Sequence, residues 1–136
     1  MKNKFLFIFG VFFFSIILLS EYSNDIKIKS GTIEFIKESN KINFLNNVQI
    51  DSDFVKIIAE SAIYDDVSTV ISLEGRPSLI KSNKKDNTFD GKAEKILFFN
   101  DQKVHLIGNA SMKYENLSIS SNSIIFNPQT GKMSSG

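Results

Sequence analysis

The sequence contains no cysteine, no tryptophan, one histidine and only 2 prolines in 136 residues. Without cysteine, a disulfide framework, a thiolate metal site and a lipid-modified N-terminal cysteine are excluded. A single histidine gives too few ligands for a His-based metal site or for Cys–His chemistry. The G-x-S-x-G, phosphate-loop and dinucleotide motifs are absent as well. These absences predict that the protein is not an enzyme and uses no metal or cofactor.

An excess of charge of either sign is also missing, since the formal net charge is +1. Without Lys2 and Lys4, which belong to the N-terminal leader, the remaining chain has 14 basic and 15 acidic side chains. A nearly neutral domain gives no electrostatic basis for binding nucleic acid. The basic group Lys81, Lys84 and Lys85 is interpreted as a solvated loop within the polar run from Lys81 to Asn87.

The one long hydrophobic run lies at the N-terminus. Lys2 and Lys4 precede an apolar stretch from Phe5 to Leu19 that is interrupted only by Gly10 and Ser15. Such a stretch suits a signal-peptide core and is shorter than the roughly 20 residues that comfortably span a bilayer. No Ala-x-Ala site follows, so a cleaved signal peptide and a retained membrane anchor both remain open. We expect residues 1–23 to form this exported leader and residues 24–136 to form one domain.

Alternation with a period of two runs through the rest of the chain, which is rich in phenylalanine, with 13 residues. This pattern predicts an all-β domain of short antiparallel strands with almost no helix beyond the leader. A first strand pair is expected around Ser30-Gly31. Turns are predicted between strands at Asn46-Asn47, Gly75-Arg76-Pro77 and Gly108-Asn109, because asparagine and glycine tolerate the left-handed backbone of short hairpins.

The alternating pattern is repeated. Lys103 to Phe126 is an ungapped second copy of Lys41 to Tyr64, and a looser third copy lies between them. A repeat of about 30 residues indicates stacked units, none of which buries its apolar face alone. A phase slip near Ser61 and Ser123 predicts a β-bulge in each copy.

The polar side chains that resemble chemical sites have simpler interpretations. His105 alternates with Val104 and Leu106, so we expect it to face solvent from a strand rather than to act in catalysis. Asp51 and Asp53, and likewise Asp65-Asp66, have the character of calcium ligands or of an acid pair. Their positions at recurring strand ends, like that of Asn100-Asp101, favour turn chemistry instead.

The repeat resembles the OstA-like N-terminal domain family, the fold of the lipopolysaccharide export bridge LptA. The resemblance rests on Val104 to Ala110, followed by a short hairpin and Leu117 to Asn127, and on the matching stretch Ile57 to Asp65. It covers about Ile26 to Lys132. In the first copy Asn46 stands where the family has glycine, which the tolerance of asparagine for left-handed backbone accommodates.

The resemblance implies an open, twisted antiparallel β-jelly roll that binds lipopolysaccharide in the periplasm. Its inner face would shield the acyl chains of lipid A. Its ends would join edge to edge with inner-membrane and outer-membrane export components of the same fold, or head to tail with copies of itself. Two alternatives remain: a membrane-anchored LptC-type subunit of the same system, and a β-repeat envelope scaffold that binds no lipid.

The phase of each repeat unit, with allowance for the slip, predicts which residues form the inner, lipid-binding face. The predicted residues are Phe35, Phe44, Ile50, Ile57, Tyr64, Leu73, Leu79, Phe89, Phe98, Leu106, Met112, Ile119 and Phe126. At sequence level these residues are equally compatible with an ordinary hydrophobic core.

Overall fold

The computed structural model describes residues 4–8, 14–19, 25–85 and 88–135. These residues form a single antiparallel sheet with one short 3-10 turn at Lys37–Ser39. The strands are β1 Lys4–Ile8, β2 Phe14–Leu19, β3 Asp25–Ser30, β4 Thr32–Ile36, β5 Lys41–Asp51, β6 Val55–Asp65, β7 Val70–Ser82, β8 Phe89–Phe99, β9 Val104–Tyr114, β10 Leu117–Phe126 and β11 Met133–Ser134. Over these residues the prediction of an all-β domain is confirmed. Within the same ranges, no helix has the length and apolar character needed to cross a membrane.

Strands β5 to β10 follow one another as a meander of long hairpins. The predicted strand ends at Asp51-Ser52-Asp53, Asp65-Asp66 and Asn100-Asp101 are confirmed as turns. In the second turn, the Asp65 carboxylate accepts a hydrogen bond from the Val67 backbone N–H at 2.9 Å. In the third, Asp101 accepts one from the Lys103 N–H at 3.0 Å. Each aspartate therefore satisfies a backbone donor that the reversing chain leaves without a ladder partner.

The turns predicted inside the repeat units are wrong. Asn46-Asn47, Gly75-Arg76-Pro77 and Gly108-Asn109 lie within β5, β7 and β9, where they interrupt the ladder without reversing the chain. Asn46, Asn47, Gly108 and Asn109 have φ values of 67°, 58°, 85° and 45°. Left-handed backbone suits a bulge as well as a hairpin turn, so residue type alone does not distinguish the two.

The first strand pair was also predicted incorrectly. β3 and β4 are consecutive segments along the same side of β5, because Ile28 lies opposite Ile50 and Ile33 lies opposite Phe44. Gly31 forms the bend between them, and its N–H donates to the Asn46 carbonyl at 2.8 Å. A side chain at Gly31 would bring its Cβ to 3.2 Å from the Asn46 Cβ. The bend therefore fits against the bulge in β5.

The pairing register shifts at a β-bulge in every neighbouring pair of strands from β5 to β10, and these shifts form one line across the sheet. They fall between Leu45 and Val48, Ile58 and Ser61, Glu74 and Ser78, Lys92 and Lys95, and Ser121 and Ser123. The predicted bulges near Ser61 and Ser123 are thus confirmed.

The line of bulges divides the sheet into two halves. We call residues 25–30, 48–51, 55–59, 78–82, 89–93, 110–114 and 117–121 the Ile28 half. Residues 32–36, 41–45, 61–65, 70–74, 95–99, 104–107 and 123–126 are the Phe44 half.

The two halves fold over each other. Within the sheet, Phe126 neighbours Val104 at the start of β9, whereas Phe89 neighbours Tyr114 at its end. At about 3.3 Å per residue, the length of β9 would separate Phe126 from Phe89 by roughly 33 Å if the sheet were flat. Their ring centroids are instead 4.6 Å apart. The sheet is therefore a twisted, unclosed roll whose inner face packs on itself.

Both ends of the sheet have additional strands. Parts of the predicted leader form β1, which pairs with β4, and β2, which pairs with β3. Residues 1–3, 9–13 and 20–24 lie outside the described residues, and a signal or anchor role of the leader stays a prediction. At the other end, Met133–Ser134 forms the short strand β11, which pairs with the end of β10. In the polar run from Lys81 to Asn87, β7 continues to Ser82, and Asp86 and Asn87 lie outside the described residues.

Candidate functional site

The inner face of the roll is the predicted lipid-binding site, and most of the predicted residues lie on it. Nine of them are at most 5% exposed: Phe44, Ile50, Ile57, Leu73, Phe89, Phe98, Leu106, Met112 and Phe126. Phe35, Tyr64 and Ile119 are partly buried and pack against this core. The pattern from the sequence therefore identified a common face that is contributed by every strand from β4 to β10.

Leu79 is the exception, and its prediction is wrong. It is 46% exposed, whereas its neighbours Ser78 and Ile80 are buried. The register shifts between Glu74 and Ser78, where four residues follow Leu73 before the next inward position. The alternation that points Leu73 inward therefore resumes on Ser78 and Ile80 and turns Leu79 to the outside.

Further core residues complete the face although they were not predicted as site residues. They are Ile26, Ile28, Ile33, Val48, Val55, Ala59, Ala62, Ile71, Ile80, Ala93, Ile96, Val104, Ala110 and Ile124. The signal for most of them was the same alternation, since they lie two residues from a predicted position in the same strand. Ile80 required the position of the bulge in β7 to be known as well.

Two residues that were not predicted as site residues carry buried polar atoms: Ser78 on the inner face and Gln102 in the turn between β8 and β9. Ser78 Oγ and both polar atoms of the Gln102 side chain are buried and have no hydrogen-bond partner within the described part of the chain. Buried polar groups normally have partners, supplied by protein, water or ligand. Ser78 is therefore a position where the apolar inner face offers a hydrogen bond to a polar group.

On the outer side of the sheet, His105 is half-buried and its Nε2 lies 2.6 Å from Ser123 Oγ. The prediction that it faces away from Val104 and Leu106 is confirmed, because both of those residues are buried. Over the described ranges, no three His, Asp or Glu side chains converge as a metal site would require. The role that the structure gives to His105 is the hydrogen bond to Ser123, which joins β9 to β10.

Tyr64, at the edge of the inner face, has a raised pKa. Partial burial raises its pKa above 10.0, and the nearby Asp66 and Asp65 carboxylates raise it further. The Tyr64 hydroxyl donates to Asp66 Oδ1 at 3.4 Å. The phenol thus stays neutral, which suits its position beside an apolar surface.

A groove of about 1020 Å³ follows the line of bulges on the outer side of the sheet. Its walls carry charges of both signs, including Glu60, Glu74, Arg76 and Lys95. Glu94 accepts a hydrogen bond from the Asn109 side chain at 2.7 Å across it. The inner face, in contrast, is closed by contacts between its own side chains, so an acyl chain would enter only if the two halves separated.

An unclosed antiparallel roll with one continuous apolar inner face defines the architecture of a jelly-roll domain. A family model described as LptA/(LptD N-terminal domain) LPS transport protein matches residues 27–132. The chain belongs to this family of lipopolysaccharide transport proteins.

The fold comparison agrees with this assignment. The structure is similar to that of LptH from Pseudomonas aeruginosa, described as the LptA homologous periplasmic component of the lipopolysaccharide transport device. The TM-score is 0.71 at 16% sequence identity, and the match covers 82% of this chain and 81% of that chain. Comparison with the curated proteins gives no significant match.

Proposed function

We propose that the protein is a periplasmic carrier that shields the acyl chains of lipopolysaccharide on its inner face. The observation that carries this proposal is the continuous apolar inner face, to which every strand from β4 to β10 contributes and which, in the described part of the chain, is covered only by the packing of its own two halves. A sheet with one apolar face needs a cover, and acyl chains provide one as well as side chains do.

Lipid entry requires the halves to separate where Phe89, Tyr114 and Phe126 meet. The Phe126 ring lies 6.0 Å from the Tyr114 ring and 4.6 Å from the Phe89 ring. These contacts are apolar and non-directional, so contacts with acyl chains replace them at little net change in apolar area exposed to water. Family membership supports this role, since it places the chain among transport proteins of lipopolysaccharide.

The proposal includes joining to export components of both membranes, or to further copies of the chain, through the edges of the sheet. β11 pairs only with Ile125 and Phe126, so the edge of β10 from Leu117 to Ile124 has no strand partner among the described residues. Unpaired edge N–H and C=O groups are templates for strand addition. The opposite edge, formed by β3 and β4, pairs with β2 and β1 and would accept a partner once these strands were released.

The closed inner face is also what a scaffold without lipid would show. Phe44, Ile57 and Leu106 have 0% exposure. A carrier and a scaffold therefore differ in whether these residues ever contact lipid, which an experiment decides.

Photo-crosslinking amino acids at Phe44, Ile57 and Leu106 test the proposal in the full chain expressed with lipopolysaccharide. We expect all three positions to capture the lipid and the purified protein to co-extract it. A crosslinker at His105, on the outer side, is the matched control and should capture none. Equal capture at all four positions, or capture at none in protein with normal circular dichroism, would favour the scaffold.

A further inference from the structure

The outer surface of the Ile28 half carries an unusual concentration of positive charge. Two adjacent rows of residues cross this surface, and each residue in a row lies opposite the next one on the neighbouring strand. The first row is Lys27, Asp51, Lys56, Lys81, Asp90 and Lys113. The second row is Lys29, Gln49, Ile58, Leu79, Lys92 and Ser111. We call these two rows the basic face.

The basic face holds six lysines and two aspartates, although the chain beyond the leader is close to neutral. On the outer surface of the Phe44 half, by contrast, charges of opposite sign face each other. Lys41 lies opposite Asp65, and Glu74 lies opposite Lys95. The basic face therefore carries a net positive charge, since its six lysines outnumber its two aspartates, whereas these facing pairs on the Phe44 half are balanced.

Within the basic face, Lys56 and Lys81 lie directly opposite each other on β6 and β7. Like charges in this arrangement destabilise a sheet. Two aspartates offset the repulsion in part: Asp51 Oδ1 lies 3.8 Å from Lys56 Nζ, and Asp90 lies opposite Lys81 on β8. An anionic surface placed against the two ammonium groups would remove the repulsion.

The centre of the basic face is apolar. Ile58 and Leu79 lie opposite each other and are 42% and 46% exposed. They line a concavity of about 530 Å³ together with Lys56, Lys81, Lys92 and Lys113. Aliphatic side chains surrounded by lysines suit the headgroup region of a bilayer, where the apolar groups enter the acyl boundary and the ammonium groups meet phosphates.

We propose that the basic face docks onto an anionic bilayer surface and holds the Ile28 half against the membrane. The charge complementarity of six lysines to anionic headgroups and the exposed Ile58–Leu79 pair carry the proposal. It is independent of lipid carriage on the inner face, because all of its residues are on the opposite side of the sheet.

The test compares the full chain with two triple variants in sedimentation with phosphatidylcholine vesicles, with and without phosphatidylglycerol. One variant changes Lys81, Lys92 and Lys113 to glutamine. The control variant changes Lys41, Lys103 and Lys132 to glutamine. These lysines lie outside the basic face, and their replacement lowers the net charge by the same amount. We expect binding to anionic vesicles to weaken roughly tenfold or more in the first variant, since each lysine near such a surface contributes substantially. The control should change little, and the leader is common to both.

A second readout follows from the absence of tryptophan in the chain. In Leu79→Trp, the single indole should shift its emission to the blue with phosphatidylglycerol vesicles and not with phosphatidylcholine alone. Raised salt should reverse the shift. Equal losses in the two triple variants, unchanged binding in both, or an indole that stays in water would each overturn the proposal, whatever the crosslinking at the inner face shows.

Discussion

The rings of Phe89 and Phe126 meet edge to face at an interplanar angle of 65°, although the two residues come from opposite ends of the strands. Their contact joins the halves of the roll at one seam. Tyr114 adds a second edge contact to Phe126 there. These contacts hold the two halves together, and the lipid-loaded form proposed above would differ at this seam.

Replacing Phe126 with alanine should destabilise the domain strongly. Phe126 is fully buried, and removal of a buried phenylalanine ring typically costs about 3–5 kcal/mol. Urea unfolding followed by circular dichroism measures the change. Ile125→Ala is the matched control, because Ile125 is 37% exposed on the outer side. Similar losses in the two variants would contradict the placement of the seam.

Replacing Gly108 with alanine should destabilise the bulge in β9. The residue has φ of +85°, and an added Cβ would lie 2.5 Å from Glu94 Oε1. Left-handed backbone with a side chain costs about 1–2 kcal/mol, so we expect at least that loss in urea unfolding. A Glu94→Ala background removes the contact with Oε1 and leaves the 3.2 Å approach to the Cβ of residue 94, so a smaller loss should remain. A variant as stable as the parent would rule out left-handed backbone at this position.

Tyr64 should make the stability of the domain fall at alkaline pH. Its pKa in the folded protein is raised above 10.0, so the folded state holds the phenolic proton more tightly than the unfolded state does. This contribution is complete below pH 10 and is lost as the pH rises through the folded-state pKa. We therefore expect the free energy of unfolding to fall less steeply in Tyr64→Phe than in the parent between about pH 9 and 11. Identical slopes would mean that Tyr64 titrates in the folded protein as it does in the unfolded chain.

Proline substitutions should distinguish the two sides of β10. Successive N–H groups of a strand point to opposite sides, so Ser120→Pro and Ser121→Pro remove donors from different edges. We expect the variant that loses its bond to β9 to be less stable in urea. The other should fold normally and lose head-to-tail crosslinking to a second copy or to a partner of the same fold. Normal crosslinking in the stable variant would show that this edge is not used for joining.

The strand content and most of the inner face could be predicted from the sequence because they depend on local alternation. Phe44, Leu106 and Phe126 follow directly from period-two spacing within one repeat unit. The aspartates at the strand ends were equally informative, since Asp65 and Asp101 bond to backbone donors only two residues away. These features require no knowledge of the distant parts of the chain.

The errors arose where one local signal is compatible with two structures. Asn46-Asn47 and Gly108-Asn109 have the left-handed backbone expected, but whether such a pair reverses a chain or bulges it depends on the neighbouring strand. Leu79 was misplaced because the length of the interruption before Ser78 is set by pairing with β8. The contact of Phe89 with Phe126 depends on the fold of the whole sheet, which alternation does not encode.

The line of bulges explains how the sequence repeat of about 30 residues builds the roll. Each repeat is one hairpin, β5–β6, β7–β8 or β9–β10, and each hairpin crosses the line and so contributes to both halves of the roll. Inserting or deleting one repeat would leave the fold line and both edges unchanged. It would lengthen or shorten the roll by two strand spacings, about 10 Å. The length of the apolar inner face is thus set in steps by the number of hairpins.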